Sequence, residues 1–181
     1  MTSPIRSIRL AAIASTAVLA SCAATVRSPS SADLKMQPGG TGGKKIVMAV
    51  KGSEVAAKSA DWELLRAEWR TSMASATQAA GMSFSYQESE PKSGSEKATA
   101  VIVEVKDYRY ISPGARYGLG IMTGNAYMDA DVRFVDLGTG KGLGTKNYNT
   151  SSTAWQGIFS AMTEKQIQAI CAEIVKDVSK K

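Results

Sequence analysis

Histidine is absent from all 181 residues. That removes the side chain most often used as a general base and the commonest metal ligand. Cysteine occurs only as Cys22 and Cys171. Long apolar runs are missing as well. The stretch from Leu10 to Leu19 holds about ten residues, half of the roughly twenty that a spanning helix requires, and no later segment is a better candidate. Charge of one sign is only mildly in excess, at +6. That balance gives no argument for nucleic acid as a partner. What is present, 44% apolar and 21% charged residues, has the composition of a soluble globular protein of one domain.

The N-terminus carries Arg6 and Arg9, the apolar run, and then the small residues Ala20 and Ser21 before Cys22. A short basic segment, an apolar core and a small-residue exit describe a secretory signal over residues 1–21. Removing it takes two positive charges from the mature chain. The remaining excess suits weak attraction to anionic lipid headgroups or other polyanions. Residues 22–44 are expected to be a flexible tether, because Ser28-Pro29-Ser30-Ser31 and Pro38-Gly39-Gly40-Thr41-Gly42-Gly43 bury too little apolar surface to offset ordering entropy. Such a tether would hold the domain roughly 25 Å from its point of attachment.

Residues 45–181 read as a single α+β domain: a mostly antiparallel sheet of four or five strands with two helices on one face, in the order strand, helix, strands, helix. Lys45 to Lys51 is an apolar run bounded by glycines, a buried strand. Trp62, Leu65, Trp69, Met73, Ala76 and Ala80 recur at helical spacing behind Ser59 as N-cap, with Gly81 as the stop. Met82–Gln87 and Ala98–Tyr110 alternate as strands. In the second, Val101, Val103 and Val105 face one way, and Ile102, Glu104, Lys106 and Tyr108 the other. Ala126–Leu137 and Gly142–Thr150 form a hairpin across the Asp136–Lys141 turn. Thr163-Glu164-Lys165-Gln166 matches a capping box before the stripe Ile167, Ile170, Cys171, Ile174 and Val178. Cys171 on that stripe is a core thiol and not a nucleophile.

Three features invite a functional reading. Residues 111–124 contain four glycines and Pro113. A phosphate cradle does not fit, because such a loop opens a helix and here a strand follows. A bent connection is the plain reading, and a docking loop presenting Arg116, Tyr117, Leu119 and Ile121 is the functional one. Asp129 and Asp131 share a strand face, which raises metal binding or paired-carboxylate catalysis. Neither has a third ligand at loop spacing or a means of raising its pKa, so solvated charge is expected, with Arg133 pairing to Asp131 or to a charge on a neighbouring strand. Trp62 and Trp69 could line a ligand pocket between the first helix and the sheet, but on an apolar stripe they are expected in the core.

Leu19-Ala20-Ser21-Cys22 resembles the lipobox of bacterial lipoproteins. The resemblance implies cleavage before Cys22, a diacylglyceryl group on its thiol and acylation of the new N-terminus, which leaves no partner for an intramolecular disulfide. The pattern Pro113-Gly114-Ala115-Arg116, Gly118, Gly120, Gly124, Val135-Asp136 and Gly140 is similar to a bacterial lipoprotein family that carries a domain of unknown function. The element order is also similar to a curli secretion lipoprotein and to lipoprotein activators of peptidoglycan synthases. Within that resemblance Ala23, in place of aspartate, implies transfer to the outer membrane, on its periplasmic side. The resulting expectation is a non-catalytic interaction module of the cell envelope. Its partners would be the membrane, through the lipid on Cys22, and an envelope protein; no nucleic acid, metal or other cofactor is assigned. A subunit of an oligomeric ring or secretion assembly, hence a homo-oligomer, and a small-ligand binding lipoprotein are the alternatives.

Overall fold

The computed structural model describes residues 26–27, 44–110, 126–151 and 162–179. It has α+β architecture, with strands β1 (Val26–Arg27), β2 (Lys45–Gly52), β3 (Ser83–Tyr86), β4 (Thr99–Arg109), β5 (Tyr127–Asp136) and β6 (Gly142–Ser151). Its helices are α1 (Glu54–Ala57), α2 (Trp62–Ala79) and α3 (Met162–Ser179). The strands form one sheet in the order β1-β6-β5-β4-β2-β3.

The sheet is mixed. β4, β5 and β6 are antiparallel neighbours, as the alternating patterns predict, but β2 runs parallel to both β3 and β4. That central position explains the unbroken apolar run of β2, since a strand covered on both faces has no polar side to present. Ile46, Met48 and Val50 face α2 and α3. Val47 joins Ala98, Ala100, Ile102 and Leu137 in a smaller cluster on the opposite face.

The main core lies between the sheet and the two long helices. Trp62, Leu65, Trp69 and Met73 of α2 and Ile167, Ile170, Cys171 and Ile174 of α3 are all buried against Val101, Val103, Val105, Met128, Val132 and Phe134. Each large aliphatic side chain among these contributes roughly 1.5–3 kcal/mol through burial. Both helical stripes match their expected spacing except at Ala80, which is exposed and caps the C-terminus of α2.

Several local expectations change. Val26 and Arg27, inside the stretch read as tether, pair antiparallel with Thr150 and Asn149 of β6. The N-cap of α2 is Asp61 rather than Ser59; the Ser59 hydroxyl instead donates to Asp61 Oδ1 at 2.7 Å. α1 is a single turn too short to leave a periodic signature, and Ser53 caps it by accepting from the Ala56 amide at 3.1 Å. The capping box does not form. α3 already includes Thr163, and Gln166 donates its amide to the Ala126 carbonyl at 3.0 Å while its Oε1 has no partner among the described residues. Finally, β4 carries a bulge between Val105 and Asp107. The extra residue returns Tyr108 to the helix-bearing face, beside Trp62 with ring centres 6.4 Å apart.

Candidate functional site

On the helix-free face, register sets Glu104 opposite Asp131, and Asp131 opposite Asn147. Two carboxylates directly across a ladder repel, and the neighbouring cations offset that repulsion. Lys51 lies 3.2 Å from Glu104, and Lys106, carried on the β4 bulge, lies 2.5 Å from Asp131. Asn147 Nδ2 donates to Asp129 Oδ1 at 2.7 Å and to Asp131 Oδ1 at 2.8 Å. Burial alone would raise the Asp131 pKa, but the hydrogen bonds from Lys106 and Asn147 outweigh it and hold the carboxyl below its usual value. A general acid needs the opposite shift. No group of three ligating side chains gathers among the described residues.

Arg133 does not pair with Asp131 or across the ladder. Its guanidinium reaches Glu90, 2.5 Å away in the connection between β3 and β4. Lys51, Ile102, Glu104, Asp131, Arg133 and Thr145 line a shallow cleft of about 190 Å³. Among the described residues, the charges on this face are half-buried or exposed and are held in ion pairs and hydrogen bonds.

Both tryptophans of α2 are core residues, at 8% exposure for Trp62 and 0% for Trp69. Trp69 Nε1 has no hydrogen-bond partner among the described residues. A wider recess of about 440 Å³ lies on the outer side of α2 against β3, lined by Arg70, Thr71, Ala74, Phe84, Ser85 and Tyr86. Cys171 is wholly buried, and burial pushes its thiol well above the ordinary range, so it is protonated and inaccessible.

Cys22 and the loop residues Arg116, Tyr117, Leu119 and Ile121 lie outside the described residues. The strands that flank this loop are described: β4 ends at Arg109 and β5 begins at Tyr127, which are register partners. The loop therefore joins two adjacent strand ends. Sequence reasoning missed other features of this end. Val55 of α1 and Leu64 in the first turn of α2 are exposed large apolar residues, as is Tyr127. Leu64 stands off the buried stripe of its helix, which was the available signal. Lys146 and Asp177, 2.6 Å apart between β6 and α3, were also missed, since nothing local links them.

No known protein family matches the chain, and no curated protein matches it. Among solved structures it is similar to the PelC dodecamer from Paraburkholderia phytofirmans, at 11% identity and a TM-score of 0.46, covering 87% of this chain and 98% of that one. It is also similar to an uncharacterized protein, at 11% identity and a TM-score of 0.47, covering 76% and 94%. Protein XCC0632 from Xanthomonas campestris, of the family DUF330, is similar at 10% identity and a TM-score of 0.44, covering 72% and 81%.

Proposed function

We propose that this chain is a lipid-anchored envelope protein on the periplasmic side of the outer membrane, acting as a non-catalytic interaction module. The observation that carries the reading is Leu19-Ala20-Ser21-Cys22 at the end of a short apolar run, followed by Ala23. Two or more acyl chains on Cys22 would make the attachment stable, where one would bind only marginally. The chemistry of the folded domain supports binding over catalysis. Asp129 and Asp131 are occupied by Asn147 and Lys106, and Cys171 is sealed in the core. The partner is an envelope protein that docks on the loop bearing Arg116, Tyr117, Leu119 and Ile121.

The test combines anchoring and capture. The mass of the N-terminal peptide should show a triacylated Cys22, and Cys22→Ser should release the protein from the outer-membrane fraction. A photo-crosslinker in place of Tyr117 should then capture one defined envelope protein, or a second copy of this chain if the domain self-assembles. Acylation without any captured protein would refute the interaction role while leaving the anchor standing.

A further inference from the structure

β1 runs antiparallel to β6, with Val26 opposite Thr150 and Arg27 opposite Asn149. β1 therefore starts at the end of the sheet at which β6 terminates. Cys22 precedes Val26 by four positions, a reach of about 14 Å when fully extended. The sixteen or so residues that look like a tether come after β1, not before it, and join Arg27 to Lys44. The fixed position of Val26 thus sets that extended reach as an upper limit on the distance between an anchor on Cys22 and this end of the domain.

That end also holds β4 and β2 at their C-termini, β5 at its N-terminus, α1, and the first turn of α2, which Asp61 joins to Tyr108 by a 2.6 Å hydrogen bond. An independent feature is found there. The large apolar side chains exposed among the described residues are Val55 at 79%, Leu64 at 59% and Tyr127 at 37%, and all three belong to this end. They come from three different elements, so a single amphipathic pattern does not account for their shared position. An end that is both tied to an acyl anchor and rimmed with exposed apolar side chains fits the headgroup layer of a bilayer, where such residues bury apolar area.

Resting on the lipoprotein reading above, we infer that this end of the sheet is the membrane-facing surface of the domain, with β1 as the clamp that fixes its orientation. The connection from Arg109 to Tyr127 belongs to the same end, so the envelope protein that docks on it is one seated at the membrane surface. The opposite end, with the Asp136–Lys141 turn, then points away from the lipid. The 11 residues of β4 separate the two ends by roughly 35 Å.

The acylated full-length chain in vesicles of phosphatidylethanolamine and phosphatidylglycerol, doped with a headgroup nitroxide, tests this. A fluorophore on Leu64→Cys should be quenched several-fold more strongly than one on Thr139→Cys. Proline at both positions of β1, Val26→Pro with Arg27→Pro, removes whichever of the two strand amides faces β6 and should leave the protein on the vesicles but abolish the contrast. Equal quenching at the two sites in acylated protein would overturn the inference and leave the anchor intact. A contrast that survives the double substitution would overturn β1 as its cause. An unacylated Cys22, with protein washing off the vesicles, would instead sink the lipoprotein reading and this inference with it.

Discussion

Lys146 Nζ lies 2.6 Å from Asp177 Oδ2 and ties the middle of β6 to the end of α3. The Tyr148 hydroxyl donates to the same oxygen at 2.8 Å, and the Lys146 ammonium sits 4.8 Å from the centre of the Tyr148 ring. Asp177 is 3% exposed and Tyr148 fully buried. Breaking a wholly buried pair costs about 3–5 kcal/mol, but the Lys146 side chain keeps 23% of its exposure, so part of the loss is screened. Lys146→Met should lower stability by about 2 kcal/mol in urea unfolding, with the m-value unchanged. A change below about 0.5 kcal/mol would mean that the pair contributes no more than a surface bridge.

Tyr108 provides a second link between sheet and helix, and a titration to follow. Burial, then its hydrogen bond to Asp61, pushes its pKa up to about 12. A folded chain that keeps this proton above pH 10, where the unfolded chain releases it, loses stability as pH rises. The Tyr108 contribution is therefore complete below pH 10 and disappears towards pH 12. Absorbance titration should show a phenol ionising near the upper limit, absent in Tyr108→Phe. That variant should also show a shallower loss of stability between pH 10 and 12.

Tyr108 also marks where the sequence is legible and where it is not. Burial with a period leaves a trace, so β4, β5, α2 and α3 could be read from their apolar spacing. So could the core roles of Trp62, Trp69 and Cys171. Asp129 and Asp131, expected as solvated charges, are half-buried and held by Asn147 and Lys106. A bulge adds one residue without altering composition, so the alternation around Lys106 placed Tyr108 on the wrong face. Pairing partners are set by the whole sheet and not by the strand. Nothing in Val26-Arg27 foretells β6, and nothing near Arg133 foretells Glu90. The parallel neighbours of β2 were visible only indirectly, in its lack of polar alternation.

The Lys106 bulge makes a further prediction at acid pH. Asp131 is held below its ordinary pKa because the hydrogen bonds from Lys106 and Asn147 prevail over partial burial. Its contribution is present above the unfolded carboxylate value, near pH 4, and is lost as pH falls through the depressed folded value. Carboxyl NMR should find Asp131 titrating below a free aspartate. Lys106→Met should move that titration upward and Asn147→Ala should do the same. If Asp131 were a general acid in waiting, its titration in the native chain would lie above the ordinary range instead.

Gly52 is the hinge between β2 and α1, and its missing side chain is a packing requirement. A Cβ there would lie 2.9 Å from the Ala57 amide nitrogen and 3.0 Å from the Trp62 ring. The first contact is backbone and the second a buried indole, so neither yields without moving α1 or the start of α2. Gly52→Ala should destabilise the domain by about 1–3 kcal/mol, the usual cost of overpacking. Gly94, whose Cβ position is open, is the control: alanine there should change stability by less than about 1 kcal/mol, through the unfolded chain. Because Gly52 positions α1 and Trp62 at the end of the sheet that carries Val55 and Leu64, the same substitution should weaken the quenching contrast between Leu64 and Thr139 labels. A destabilised variant that keeps the full contrast would show that the membrane-facing end does not depend on the close packing at Gly52.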